Sequence, residues 1–75
     1  MTKLKADASS LGHAIKMLRN KEGLSLVELG KKSGVTPGMI SLLENGKRNP
    51  SLDTLKSILT ALGWELWLYK PGEDE

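Results

Sequence analysis

The 75-residue chain lacks cysteine and phenylalanine, and it has a single histidine, His13. Without cysteine the fold has no disulfide or thiolate metal site, and one histidine cannot form a His-rich metal cluster. The sequence shows no run of 18 apolar residues and no signal-peptide pattern, so we expect a soluble, cytoplasmic protein without a membrane span. A chain this short buries only about 60% of the surface that it exposes when unfolded. These absences predict one small domain, and its 14 leucines predict an aliphatic core.

The same absences argue against an enzyme. Acidic residues are scattered along the chain, and no cysteine and only one histidine are available to work with them. A catalytic site needs a nucleophile, a base and a group that orients the base. No such set can be assembled, so we predict a non-enzyme that carries neither a cofactor nor a metal. We expect His13 to be a surface side chain without a role in a site.

The charge of the chain is unevenly distributed. The chain has 11 basic and 9 acidic residues, but residues 71–75 hold three acids and no base. Residues 1–70 therefore carry 11 bases against 6 acids, a net charge of +5. A basic body suits a polyanionic partner, although an ordinary soluble surface would explain the charge equally well.

Helical signals run from residue 9 to residue 63, after a loose arm over residues 1–8. Four apolar residues recur at helical spacing, after Ser9 or Ser10 as a cap and before Gly23 as a stop: Leu11, Ala14, Ile15 and Leu18. A fourth helix begins at Ser51 and ends at Gly63, and four leucines form one of its faces: Leu52, Leu55, Leu59 and Leu62.

Between these lie two short helices with clear start and stop signals. Ser25 and Glu28 have the spacing of a capping box, and the helix that they begin runs to about Ser33 before Gly34 stops it. Thr36 followed by Pro37 is a second start signal, because a hydroxyl cap precedes a residue whose fixed φ suits the first helical turn. This third helix runs to about Glu44 and closes at Asn45-Gly46, before a polar loop over residues 47–50.

Residues 26–45 fit the steric requirements of a helix-turn-helix. Gly30 provides a small residue where the two helices approach each other, and Gly34 tolerates the positive φ that a tight turn requires. Ile40 then docks the second helix onto the first, and we expect it in the core together with three other aliphatic residues: Leu29, Val35 and Leu43.

The period changes to two in residues 64–69, which predicts a β-strand. A lone strand leaves its backbone groups unpaired and invites pairing with another chain. We predict a dimerisation strand over residues 64–70 that pairs across a homodimer, followed by an acidic tail over residues 71–75. The predicted dimerisation residues are Trp64, Leu66, Trp67, Leu68 and Tyr69. In the dimer Trp64, Leu66 and Leu68 would cover the helices of either subunit, whereas Trp67 and Tyr69 would lie in the dimer seam or bind another partner. The alternative is a strand folded back on its own subunit.

Residues 11–63 resemble the phage-repressor-like helix-turn-helix family, which contains the lambda-type and Cro-type repressors. The resemblance lies in three stretches: Gly23-Leu24-Ser25, Ser33-Gly34-Val35-Thr36 and Ile40-Ser41-Leu42-Leu43-Glu44-Asn45-Gly46-Lys47-Arg48-Asn49-Pro50-Ser51-Leu52. It implies a mainly α, four-to-five-helix domain that binds double-stranded DNA sequence-specifically, usually as a dimeric repressor. It also implies an ion pair between Arg19 and Glu44.

Two departures from the family pattern matter. Many members have glutamine where this chain has Leu26, and most have a fifth helix where this chain has the predicted strand. A terminal strand in that place is similar to the HipB-type antitoxins. The partner implied by that likeness is a HipA-like serine/threonine kinase, so a protein-interaction antitoxin with secondary DNA binding is the alternative function.

The third helix is the expected recognition helix, because residues on its first turns reach base edges in the major groove. The predicted base contacts are Thr36, Pro37, Gly38 and Ser41. Thr36 and Pro37 could instead serve only as caps. Hydroxyls and the apolar atoms of Pro37, which can meet a thymine methyl, discriminate weakly, so we expect DNA shape and half-site spacing to contribute.

Most of the affinity should come from phosphate contacts. The predicted phosphate contacts are Ser25, Leu26, Asn45, Lys47 and Arg48. Leu26 could equally be a core or helix-contact residue, and Lys31 and Lys32 could face the duplex or only solvent. A two-fold dimer would place its recognition helices about 34 Å apart, which predicts a palindromic operator.

Overall fold

Four helices make up most of the part of the chain that the structure describes. The computed structural model describes residues 8–67. Within them lie α1 (Ala8–Lys21), α2 (Leu26–Ser33), α3 (Pro37–Glu44) and α4 (Leu52–Ala61). The four predicted helices are thus confirmed. The first begins at Ala8, so the prediction that Ser9 or Ser10 precedes it as a cap is wrong: helical backbone already includes both serines.

The core is aliphatic, and every helix contributes to it. α2 packs against α3 and α4, and α1 packs against α3. The buried cluster consists of Ile15, Leu29, Ile40, Leu43, Ile58 and Leu62. Ile40 is completely buried, as predicted from its docking role, and His13 is exposed, as expected.

Side-chain caps fix the start of the three helices after α1. The hydroxyl of Ser25 accepts the N–H of Glu28, and the Glu28 carboxylate accepts the N–H of Ser25, so the predicted capping box is present. Thr36 accepts the N–H of Met39, and Ser51 accepts the N–H of Thr54. These local bonds set where each helix begins and therefore the direction in which it points.

The predicted strand is absent from the residues that the structure describes. Residues 64–67 follow α4 as irregular chain, and no part of residues 8–67 forms a strand. The physical reason is that a strand needs a partner, and residues 8–67 contain no second strand. Leu68 and Tyr69 lie outside the described residues, as do most of the predicted arm and the acidic tail. Pairing across a dimer therefore stays a prediction.

The side chains at the start of this segment differ in their environment. Trp64 packs against the hydrophobic core, as expected for a residue that covers the helices. In the single chain Leu66 is exposed, and Trp67 is 73% exposed. Leu66 and Trp67 thus form an apolar surface beside α4.

The longest described helix has 14 residues, or about 21 Å at 1.5 Å per residue. A bilayer core is about 30 Å thick. None of the helices in residues 8–67 is long and apolar enough to cross it.

Candidate nucleic-acid interface

The turn between α2 and α3 brings the two helices into close contact. Gly34 has a φ of 78°, and its N–H donates to the Gly30 carbonyl at 2.8 Å, which ends α2 in a left-handed turn. A Cβ on Gly30 would lie 2.9 Å from the carbonyl oxygen of Val35 and 3.3 Å from the ring of Pro37. Gly30 and Gly34 therefore have the roles predicted from the sequence: one allows close approach and the other allows the turn.

A second close approach, between α1 and α3, was missed by the sequence reasoning. Gly12 is buried, and a Cβ placed on it would overlap the carbonyl oxygen of Leu43. A glycine inside a helix costs about 1 kcal/mol relative to alanine, so one in a helix interior can signal a packing requirement. That signal was present at Gly12, on the same helical stripe as Ile15. The contact lets α1 support α3 along its last turn.

Arg19 and Glu44, the pair that the family resemblance implies, also join α1 to α3. The guanidinium donates from Nε to Glu44 Oε2 at 2.7 Å and from Nη2 to Oε1 at 3.0 Å, a two-pronged arrangement. Nη1 donates to the Leu24 carbonyl at 2.9 Å, which ties the α1–α2 turn to the same group. The side chains of Arg19 and Glu44 are only 12% and 5% exposed. The hydrogen-bonded carboxylate raises the pKa of Arg19 above its ordinary value, so the guanidinium stays charged.

The two faces of α3 have opposite roles. Ile40 and Leu43 point into the core, and Glu44 points to Arg19. The opposite stripe, at positions i, i+3, i+4 and i+7, carries Gly38, Ser41, Leu42 and Asn45. Glu44 is the only acidic residue of α3, so the outer stripe carries no carboxylate. A polyanion can approach this face without charge repulsion from α3.

The predicted base-contact residues lie together at the start and on the outer side of α3. Thr36, Pro37 and Gly38 are exposed, and Ser41 is half-buried. The hydroxyl of Thr36 is engaged as the helix cap, accepting the N–H of Met39 at 3.2 Å. The second lone pair and the proton of this hydroxyl remain available for a hydrogen bond to a base, because a hydroxyl can donate once and accept twice.

Polar groups farther along the outer stripe bond to each other. Asn45 Nδ2 donates to the Ser41 carbonyl at 2.8 Å and lies 3.4 Å from the Ser41 hydroxyl. The amide of Asn45 is thus partly engaged within the protein. Leu42, between them on the same stripe, is 37% exposed, and its side chain is the largest apolar group there. Leu42 is not among the four base contacts that the sequence predicts.

The end of α3 fixes where the basic residues begin. Gly46 has a φ of 70°; its N–H donates to the Leu43 carbonyl at 3.1 Å, and the N–H of Lys47 donates to the Leu42 carbonyl at 2.9 Å. These two bonds form a Schellman motif, which turns the chain sharply at the helix end. Lys47 and Arg48 are exposed directly after this turn. The predicted phosphate contacts Asn45, Lys47 and Arg48 therefore flank the outer face of α3.

The start of α2, where Ser25 and Leu26 are predicted to contact a phosphate, has fewer free backbone N–H groups than expected. The N–H of Ser25 donates to Glu28 at 2.8 Å and so is not free for a phosphate. Leu26 is half-buried and packs against the core, which fits its interpretation as a helix-contact residue. The N–H groups of Leu26 and Val27 have no acceptor within residues 8–67. Hydrogen bonding with the Ser25 N–H and hydroxyl lowers the pKa of Glu28. This exposed carboxylate therefore stays charged beside the N–H groups of Leu26 and Val27.

Lys31 and Lys32 lie on the last turn of α2, and both are exposed. Lys32 lines a shallow depression of about 690 Å³ together with Lys56 and Gly63. It therefore lies on the α4 side of α2 rather than beside α3. Within residues 8–67 no group of three histidine or acidic side chains could hold a metal ion.

Two helices, α2 and α3, joined by a tight turn define the class of the protein as helix-turn-helix. The model of the helix-turn-helix family HTH_3 matches residues 15–66, and the chain belongs to this family. It is 39% identical over 54 residues to the antitoxin HipB of Escherichia coli, a match that covers 72% of this chain and 57% of that protein. It is 33% identical to the immunity repressor protein of Bacillus phage phi105, across 72% of this chain and 38% of the repressor.

Among solved structures, the chain is similar to HipB in the HipB–O2 20mer complex. The TM-score is 0.78 at 31% identity, and the match covers 95% of this chain and 97% of that one. The curated relatives above are longer than the part that matches, since the chain spans 57% of the antitoxin and 38% of the phage repressor. The relatives of this chain thus include a phage immunity repressor and an antitoxin.

Proposed function

We propose that the protein is a sequence-specific, double-stranded-DNA-binding transcriptional repressor. One observation carries the proposal: the outer face of α3 is exposed, free of carboxylates, and followed at once by Lys47 and Arg48. A helix of this kind fits the major groove, and the cations that follow it bind phosphates of the DNA backbone beside the groove. Thr36, Pro37, Gly38 and Ser41 would then contact bases.

The test is selection of bound duplexes from a random-sequence DNA library, followed by affinity measurement by fluorescence anisotropy. The selected duplex should bind at least about a thousandfold more tightly than a scrambled duplex at the same salt concentration. Footprinting on the DNA upstream of the gene tests autoregulation. Equal affinity for selected and scrambled duplexes would contradict sequence-specific recognition.

The proposed repressor acts as a homodimer on a palindromic operator. Support comes from the exposed apolar surface of Leu66 and Trp67 in the single chain, because residues that belong to an interface lose that exposure on pairing. Trp67→Lys should shift the protein from dimer to monomer in sedimentation equilibrium. Met17→Lys, which changes another exposed apolar residue, on α1, should leave the dimer intact. A monomeric wild-type protein, or equal effects of both changes, would contradict this proposal.

A second function, as the antitoxin of a toxin–antitoxin pair, is favoured by the match to HipB over nearly the whole of both chains. HipB also occurs in a solved HipA–HipB–O2–O3 complex, with a TM-score of 0.78 to this chain. The proposed partner is a HipA-like serine/threonine kinase. Co-expression with the product of the adjacent gene should give a co-eluting complex in which kinase activity is suppressed. Separate elution with unchanged kinase activity would leave a plain regulator.

A further inference from the structure

The recognition helix carries an apolar side chain at a position where a polar, base-contacting side chain would be expected. Leu42 lies in the middle of the outer stripe of α3 and is 37% exposed. Its neighbours on that stripe offer few free hydrogen-bonding groups, because the Asn45 amide donates to the Ser41 carbonyl at 2.8 Å. Gly38, one turn earlier, has no side chain, and its Cβ position is open space. The Leu42 side chain therefore has open space beside it, at the position of the absent Gly38 side chain.

An exposed leucine on this face needs an apolar partner, and the major groove offers one. The only apolar group on a base edge in that groove is the C5-methyl of thymine. The charges around Leu42 favour DNA as the partner, since Lys47 and Arg48 follow the helix and no carboxylate lies on its outer stripe. A protein partner with both acidic and basic residues on its surface would gain no net attraction from two cations beside a face without carboxylates.

We propose that Leu42 is a specificity-determining residue that recognises a thymine by its C5-methyl group. The inference rests on the proposed DNA-binding function and adds the base class to it: each half-site contains at least one thymine that is read through its methyl group. The adjacent hydroxyl of Ser41 and the open position at Gly38 allow the leucine to approach the groove floor. Burial of one methyl group corresponds to about a fourfold change in affinity.

The experiment uses the duplex selected for the full-length protein and replaces its thymines by deoxyuridine one at a time. Deoxyuridine keeps every hydrogen-bonding group of thymine and lacks only the methyl. For the wild-type protein, at least one replacement per half-site should weaken binding about fourfold. For Leu42→Ala the same replacement should have no effect, because the methyl contact is already lost.

Two further variants separate the methyl contact from general effects on DNA shape or stability. Leu42→Met keeps an apolar side chain of similar reach and should retain the loss at the same thymine. Met17→Ala removes exposed apolar surface on α1 and should behave as the wild type at every thymine.

The inference is overturned if no thymine is sensitive, or if Leu42→Ala is as sensitive as the wild type at every position. These outcomes differ from a failure of the proposed function, in which no duplex would be selected over scrambled DNA. Circular dichroism of Leu42→Ala should match that of the wild type, since the leucine is not part of the buried core.

Discussion

Arg19 of α1 holds Glu44 of α3 by two hydrogen bonds, of 2.7 and 3.0 Å. The acidic residue of α3 is thus turned away from the outer face and neutralised by a cation from another helix. The same guanidinium donates to the Leu24 carbonyl, so one side chain joins α1, the α1–α2 turn and α3. The pair fixes the angle of α3 while it keeps negative charge off the surface that we propose for DNA.

Replacing Arg19 by methionine should destabilise the protein by about 2–3 kcal/mol, because it leaves the largely buried Glu44 carboxylate without a counter-ion. Urea unfolding measures this loss. The double variant Arg19→Met with Glu44→Leu should recover most of it, since two apolar side chains can replace a buried pair. If the single and double variants were equally destabilised, the pair would not be the cause.

Gly12→Ala should destabilise the fold by about 1–3 kcal/mol, because the added methyl overlaps the Leu43 carbonyl and forces α1 and α3 apart. Gly38→Ala is the matched control. It is also a helical glycine, but open space surrounds its Cβ position, so alanine should raise stability by up to about 1 kcal/mol through helix propensity. Thermal unfolding of the two variants should therefore move in opposite directions. A stable Gly12→Ala protein would show that the two helices do not approach as closely as described.

Local signals made most of the fold predictable from the sequence. The capping box of Ser25 and Glu28, the Thr36–Pro37 start and the turn glycine Gly34 act within a few residues, so their patterns can be recognised without a structure. The Gly12 contact requires Gly12 and Leu43, which are 31 residues apart in the chain, to meet in space. Composition and periodicity do not encode such a contact.

The end of the chain shows what periodicity alone does not determine. Alternation in residues 64–69 predicts a strand, but a strand exists only as part of a pair, and residues 8–67 contain no second strand. Within residues 64–67 only Trp64 packs against the core, and Leu66 and Trp67 stay exposed. At the other end, the serines chosen as caps lie inside α1, because helical signals at a chain's start are weak and helix bounds shift by a residue or two.

Lys47→Ala and Arg48→Ala should each lower the salt dependence of DNA binding by about one in the slope of log K against log salt, because each loses one phosphate contact. Lys56→Ala, an exposed lysine on α4 beside Lys32, should leave the slope unchanged. The measurement is anisotropy titration on the selected duplex over a range of salt concentrations. An unchanged slope for both Lys47→Ala and Arg48→Ala would remove them from the interface.

The capping box should make part of the stability depend on pH in the acid range. The pKa of Glu28 is lowered in the folded protein by the bonds from Ser25, so its contribution is fully present above the unfolded pKa of about 4.3 and is lost as pH falls through the lower folded value. Glu28→Gln does not titrate. The free energy of unfolding of the wild type should therefore fall more steeply below about pH 4.3 than that of Glu28→Gln. Parallel curves for the two proteins would contradict the assignment.

The most direct test of the account is to map the amide resonances that shift when the selected duplex is added to isotope-labelled protein. The account predicts the largest shifts in residues 36–48, from the cap of α3 to its flanking cations, with residues 56–63 on the α4 side little changed. Large shifts confined to residues 56–63, with α3 unaffected, would show that the protein binds DNA through another surface and that α3 is not its recognition helix.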